Sequence, residues 1–157
     1  MSKLMIALVI AASFSIPAFP QSTSGWQTLS DSKTRCQGKS PQDWDKFGVM
    51  GKKSKGIARV LPQVRTSGDP FTFDYVKSLA KEFQKITQVF EDSSTRFWVA
   101  YDGKTTGFIG DGERSYRVHW YVVVPSKPVV CAMDIIFDDP ALTEQAKLIA
   151  QSLRGAK

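Results

Sequence analysis

After Glu91 the spacing of apolar residues changes from helical to alternating, and this change limits the possible folds more than any other feature of the sequence. Alternation with a period of two is typical of strands that bury one face of a sheet. Four strands are predicted, at residues 96–101, 105–109, 115–124 and 129–137. Short turn sequences such as Asp102-Gly103 and Ser126-Lys127-Pro128 separate them, so we expect a four-stranded antiparallel meander.

Two helices and one further strand are expected beside this meander. The first helix is predicted to begin at Asp69-Pro70, and its apolar stripe is Val76, Leu79, Ala80, Phe83, Ile86 and Phe90. The second is predicted to begin at Asp138-Asp139-Pro140, with the stripe Leu142, Ala146, Ile149 and Leu153. Residues 57–64 can add an N-terminal edge strand, since Pro62 suits an edge position. The predicted fold class is α+β, with an antiparallel sheet covered by two main helices.

The beginning of the chain has the order of parts of a secretory signal peptide. Lys3 precedes an apolar run at residues 4–14, and Ser15-Ile16-Pro17-Ala18 follows it. A membrane-spanning helix needs roughly 20 apolar residues, which this run does not reach. We therefore expect cleavage after Ala18, a mature chain from Phe19 without a transmembrane segment, and export to a periplasm or the medium. Residues 19–40 are predicted to be a flexible arm, and residues 41–157 a single α+β domain.

Cys36 and Cys131 are the two cysteines of the chain. In an oxidising compartment, an even pair so far apart in sequence is most simply one disulfide, and two unpaired buried thiols are the alternative. A zinc site is disfavoured because His119 is the only histidine and no Cys-x-x-Cys spacing supplies further ligands. The sequence predicts neither a metal nor a cofactor.

The positive charge of the chain is concentrated in residues 32–68, which we call the basic region. It holds nine basic residues against Asp43 and Asp45. Such a region can attract an acidic protein, anionic lipid headgroups or, less favoured here, nucleic acid, or it can be a solvated loop. The candidate partner-binding residues are Lys46, Lys52, Lys53, Lys55 and Arg59, with Trp44 and Phe47 as apolar anchors. A core position for Trp44 is the alternative.

Any acid/base chemistry would start from His119, because histidine is the residue type whose ordinary pKa lies near neutrality. On the predicted strand, His119 shares a face with Arg117 and Tyr121, and Asp134 of the next strand can lie nearby. These four groups are the candidates for a secreted hydrolase or nuclease. A single histidine within a strand is more typical of a structural residue, so the sequence favours no catalytic site.

The end of the chain resembles the Mog1/PsbP-like domains. In these domains a meander runs into a last strand and a C-terminal helix, which here closes on Ile149-Ala150-Gln151-Ser152-Leu153-Arg154. The resemblance covers the second half of the chain. It implies the architecture and a binding or accessory role, and it carries no catalytic residue across.

The sequence as a whole favours an exported, disulfide-stapled binding or inhibitor protein that recognises an acidic protein partner. A periplasmic immunity protein is one form of this hypothesis. A basic hydrolase or nuclease using His119 and an envelope-associated accessory protein are the alternatives.

Overall fold

The structure is a computed structural model of the 157-residue chain and describes residues 22–31, 35–46, 53–63, 71–102 and 118–155. Its strands are β1 (Gln27–Ser30), β2 (Gln37–Ser40), β3 (Gly56–Gln63), β4 (Ile86–Asp92), β5 (Phe97–Tyr101), β6 (Val118–Val124) and β7 (Val130–Phe137). The helices are α1 (Phe73–Phe83) and α2 (Thr143–Ser152), and a 3-10 turn at Pro140–Leu142 precedes α2.

Five strands form one antiparallel sheet in the order β3-β7-β6-β5-β4, and β1 and β2 form a separate two-stranded sheet. The fold is therefore α+β, as predicted. The predicted edge strand is β3, which pairs with β7 at one edge of the sheet. No helix in the described ranges is long and apolar enough to cross a membrane.

The two faces of the five-stranded sheet are covered differently. One face packs against α2 and the two-stranded sheet around an aromatic cluster, whose members are Trp44, Phe90, Trp98, Trp120 and Phe137. The other face packs against α1, which buries Val76 and Ala80 on strands β5 to β7. We call these the α2 face and the α1 face of the sheet.

The predicted disulfide between Cys36 and Cys131 is confirmed. The two Cα atoms lie 5.5 Å apart, and both residues are fully buried on the α2 face. Cys36 immediately precedes β2, whereas Cys131 lies in β7, so the bridge fixes the two-stranded sheet to the strand next to the β3 edge of the large sheet. At Gly38 an added Cβ would lie 2.1 Å from the Met133 methyl group, which shows how closely β2 approaches β7.

Residues 22–31 and 35–40, within the predicted flexible arm, are more ordered in the structure than the sequence suggested. Within the predicted arm at residues 19–40, β1 and β2 pair in register from Gln27 opposite Ser40 to Ser30 opposite Gln37. The Gln27 side chain also donates hydrogen bonds to the backbone oxygens of Pro41 and Trp44. The polar composition suggested a loose segment, but Thr28, Ser30 and Lys39 form the solvent-exposed side of this small sheet, and Ser40 is buried on its inner side with Leu29 and Gly38.

The first helix is shorter than predicted. It ends at Phe83, and Ile86 and Phe90, assigned by the sequence to its apolar stripe, belong to β4. Ile86 packs on the α1 face, whereas Phe90 stacks on Trp98 of the α2 face with ring centroids 4.6 Å apart. The helix cap is Thr72, whose side chain accepts a hydrogen bond from the Tyr75 amide; the predicted start at Asp69-Pro70 lies outside the described residues.

The meander is present, and three of its strands, β5, β6 and β7, lie at the predicted positions; the fourth is β4, which the sequence did not predict as a strand. Both edges of β5 are occupied, by β4 and by β6. The predicted hairpin partner of β5, residues 105–109, lies outside the described residues. The missing strand follows from reading residues 86–90 as helix, although Ile86, Thr87 and Val89 are β-branched.

Removing the disulfide should destabilise the protein strongly, because it closes a loop with a sequence separation of 95. We expect the double variant Cys36→Ala/Cys131→Ala to lose about 2–5 kcal/mol of unfolding free energy in urea titrations. Intact-mass measurement of the unreduced protein, with and without alkylation, provides the control. Two freely alkylated thiols in the native protein would contradict the bridge.

Candidate functional site

The α1 face of the sheet carries a row of polar side chains on neighbouring strands. In the strand register, Arg59 of β3 lies opposite Asp134 of β7, and Asp134 lies opposite Tyr121 of β6. His119 and Tyr101 are opposite each other in the next row, on β6 and β5. Because alternate residues of a strand share a face, all five side chains are on the α1 side.

Arg59 and Asp134 form the closest ion pair of this row. Two guanidinium nitrogens of Arg59, Nε and Nη2, donate to Oδ2 of Asp134 at 3.0 and 2.7 Å. The Asp134 side chain is 7% exposed and the Arg59 side chain 28%. Burial raises the pKa of Asp134, and the charge and hydrogen bonds of Arg59 oppose that rise. The arginine thus satisfies a carboxylate that would otherwise be a costly buried charge.

The two tyrosines of this face are buried acids that remain protonated. Burial raises the pKa of Tyr101 and of Tyr121, and the negative charge of Asp134 raises both further. The Tyr101 ring also packs near the His119 ring, with centroids 5.5 Å apart. Neither phenol is therefore a proton donor of ordinary strength.

The structure brings only some of the four catalytic candidates together. His119, Tyr121 and Asp134 share the α1 face as the sequence suggested, but Asp134 stands opposite Tyr121, and Ile136 stands opposite His119. His119 is 4% exposed and Asp134 is 5% exposed. Arg117 lies outside the described residues. The described part of the chain holds no group of three or more His, Cys, Asp or Glu residues that could bind a metal ion.

The partner-binding candidates are distributed over three environments. Lys46, Lys53 and Lys55 are exposed at the surface, and Lys55 pairs with Asp43 at 2.8 Å. Arg59 faces Asp134 on the α1 face. Trp44 is 2% exposed in the aromatic cluster, where its indole nitrogen donates to Gln145, so its core alternative is the correct one. Phe47 and Lys52 lie outside the described residues.

Sequence reasoning missed the pairing of Arg59 with Asp134, although a signal was present. Asp134 is the one charged residue in the apolar strand sequence Val129–Phe137, and Arg59 interrupts the apolar residues of β3 in the same way. A lone charge within a buried strand predicts an opposite charge on a neighbouring strand. The strand order needed to choose that neighbour came only from the structure.

An open groove of about 400 Å³ lies where the N-terminal half of α2 passes over strands β4 to β6. Its lining combines aromatic side chains such as Phe90 and Trp120 with the polar residues Gln88, Thr143 and Lys147. Lys147 pairs with Glu144 of the same helix at 2.6 Å. The groove has the size of a small-molecule site, but its lining contains no carboxylate to work with His119.

No family model and no curated protein matches the chain. Among solved structures it is similar to the solution structure of cyanobacterial PsbP from Synechocystis, with a TM-score of 0.48 and 12% sequence identity. The match covers 95% of this chain and 99% of that chain. The family of this match is the one that the end of the sequence resembles.

The buried tyrosines predict a delayed alkaline titration. A phenol whose pKa is higher in the folded than in the unfolded chain favours folding less as the pH rises above its usual pKa of about 10. We expect Tyr101 and Tyr121 to ionise only as the protein unfolds, which near-ultraviolet phenolate absorbance measured alongside circular dichroism would show. In the Tyr121→Phe variant, the part of the phenolate absorbance that appears only on unfolding should fall to the amount expected for one phenol, that of Tyr101. Ordinary titration of every tyrosine in the folded protein would contradict this prediction.

Proposed function

We propose that this is an exported, disulfide-stapled, non-catalytic protein that binds an acidic protein partner through the lysines at residues 46–55. We call Lys46, Lys52, Lys53 and Lys55 the lysine cluster. Export is supported by the signal-like residues 1–18 and by the Cys36 to Cys131 bridge, since disulfides persist in oxidising compartments. A periplasmic inhibitor of the immunity type is one such protein.

The contrast in exposure between the two candidate sets carries this proposal. His119 and Asp134 are buried, and Asp134 already has Arg59 as its counter-ion. The described lysines of the cluster, in contrast, extend into solvent next to the edge of the sheet. A substrate would have to open the α1 face to reach the buried row, whereas a protein partner can reach the lysines directly.

The described backbone next to Lys46 and Lys55 is fixed to the sheet, which gives these two charges a defined position. Asp45 forms a parallel bridge with Ile57, and its amide donates to the Gly56 oxygen at 2.8 Å. The Lys55 amide donates to the Asp43 oxygen at 2.9 Å. Gly56 is required here, because a Cβ would lie 2.7 Å from the Ile136 oxygen and as close to the Trp44 ring. Lys46 and Lys55 are thus held beside the outer edge of β3.

Charge reversal of the cluster should impair binding more than folding. We expect Lys52→Glu/Lys53→Glu/Lys55→Glu to slow association with the partner about tenfold at low salt, and to flatten its salt dependence, with little change in Tm. The measurement is capture from the exported fraction on immobilised protein, followed by binding kinetics in a salt series. The control is Lys81→Glu/Lys85→Glu on α1 and the turn after it, which reverses two charges where the cluster variant reverses three. An unchanged association rate in the triple variant would contradict the proposal and show that the cluster is a solvated segment without a role in binding.

His119 should be dispensable for binding. If it only packs within the α1 face, His119→Gln should leave partner association unchanged and shift the unfolding free energy by at most about 1–2 kcal/mol. Assays of the purified protein on RNA, DNA and a lipid ester test the alternative. Cleavage of any of them by the wild type, lost in a folded His119→Gln variant, would replace the binding proposal with a hydrolase.

A further inference from the structure

The two-stranded sheet presents one side to the core and the other to solvent. Leu29 of β1 and Gly38 of β2 are buried on the inner side. Thr28, Ser30 and Lys39 are exposed on the other side, since residues of a strand alternate between faces. The core contacts of this sheet therefore leave one complete side of it uncovered within the described part of the chain.

The end of the chain extends this exposed side by one more position. Gln37 and Arg154 form an antiparallel bridge, with backbone hydrogen bonds of 2.9 and 2.8 Å in the two directions. Residues opposite each other in such a bridge direct their side chains to the same face. The Arg154 guanidinium accordingly donates to the Gln37 side-chain oxygen at 3.1 Å, and Arg154 is exposed. We call Thr28, Ser30, Gln37, Lys39 and Arg154 the outer sheet face.

Two further cations lie at the borders of the outer sheet face. Arg35, exposed, precedes Cys36 and donates its amide to the Asp31 oxygen. Lys127, also exposed, follows Ser126, and a Cβ on Gly155 would lie 2.0 Å from the Ser126 hydroxyl oxygen. The turn that carries Lys127 is therefore packed against the residue that follows Arg154.

The charge of this region is strongly one-sided. The segments that form or border the outer sheet face, residues 27–31, 35–40, 126–127 and 152–155, contain four basic residues, and Asp31 is their one acidic residue. Arg35 and Lys39 belong to the basic region, whereas Lys127 and Arg154 come from the other end of the chain. Residues 41–45 then connect β2 to Lys46 and the lysine cluster. The fold has thus joined charges that the sequence keeps apart.

We propose that the outer sheet face is a docking surface for an acidic protein, in which Lys39 and Arg154 are the central contacts. This proposal rests on the proposed function and assigns it a second, folded contact surface beside the lysine cluster. The face is an extended sheet surface whose Thr, Ser and Gln side chains can donate and accept hydrogen bonds. Positive charge at this position attracts an acidic surface and orients it during encounter.

A protein partner is favoured over a membrane or a nucleic acid because the outer sheet face exposes no large apolar or aromatic side chain among its described residues. Binding to lipid or to single-stranded nucleic acid uses exposed apolar or aromatic side chains for insertion or stacking. The large hydrophobic residues exposed in the described ranges are Tyr75, Phe83 and Val89, which belong to α1 and β4. The outer sheet face holds charged and small polar side chains, which suit the rim and contact area of a protein interface.

The test uses the full mature protein and poly-L-glutamate as the acidic probe. We expect Lys39→Glu/Arg154→Glu to weaken binding about tenfold, and Lys39→Gln/Arg154→Gln to weaken it less, with the backbone bridge to Gln37 intact. Lys81→Glu/Lys85→Glu, which reverses the same number of charges, should leave binding within about twofold. Circular dichroism establishes that each variant is folded; should the reversed variant not fold, the Gln variant decides alone.

The outcomes separate this proposal from the one on which it rests. If the lysine-cluster variant lost binding to poly-L-glutamate and the Lys39 and Arg154 variants did not, the outer sheet face would not be a docking surface, and the proposed function would still stand. Absence of wild-type binding to poly-L-glutamate would overturn both. If the Lys81 and Lys85 control lost binding equally, the effect would be one of net charge, and the docking role of the outer sheet face would be overturned. Tighter binding to phosphatidylglycerol vesicles or to an oligothymidine than to poly-L-glutamate would overturn the choice of a protein partner.

Discussion

Strand β7 is buried on both faces, and the rest of the molecule is arranged to cover it. All eight of its residues are buried, so it needs a neighbouring strand on each edge and a packed layer on each side. Strands β3 and β6 occupy its edges. Helix α2 and the two-stranded sheet cover the side of Cys131, and α1 packs on the side of Ala132 and Val130. Burial of this strand makes the fold three layers deep in a chain of modest length.

Each side of β7 has one interaction that hydrophobic packing alone does not supply. On the α2 side, the Cys36 to Cys131 bridge attaches a small sheet that has few apolar residues of its own. On the α1 side, Asp134 places a carboxylate in the interior, and Arg59 of β3 forms an ion pair with it. Truncation of either member of the buried pair would leave the other without its counter-charge, which is more costly than loss of the pair as a whole.

This arrangement divides the charged residues into internal and external groups. Arg59 and Asp134 are used within the fold, and Lys77 and Lys81 of α1 pair with Asp92 of β4. Lys46 and Lys53 of the lysine cluster, and Lys39 and Arg154 of the outer sheet face, are exposed to solvent. Binding to an acidic protein is consistent with this division, because these exposed cations are different residues from Arg59, Lys77 and Lys81.

Much of the α+β class could be predicted from local sequence, because alternating and helical spacing are local properties. The stretch at residues 73–92 shows the limit of that reasoning. Its apolar spacing fits one long helix, but the β4 part is a strand because β5 offers it a partner edge and because Phe90 has Trp98 to stack on. Such a choice between helix and strand is made by tertiary contacts that no window of sequence contains.

The candidate site shows the same division. The sequence by itself determined that Cys36 and Cys131 could pair, that His119 and Tyr121 share a face, and that the positive charge is concentrated before residue 68, since these follow from residue type and periodicity. Only the tertiary structure decided that Arg59 forms an ion pair with Asp134, that Trp44 lies in the core, and that Arg154 lies beside Gln37. Those outcomes depend on which strands are neighbours. Strand order is set by long-range packing and burial, and local sequence patterns contain no information about either.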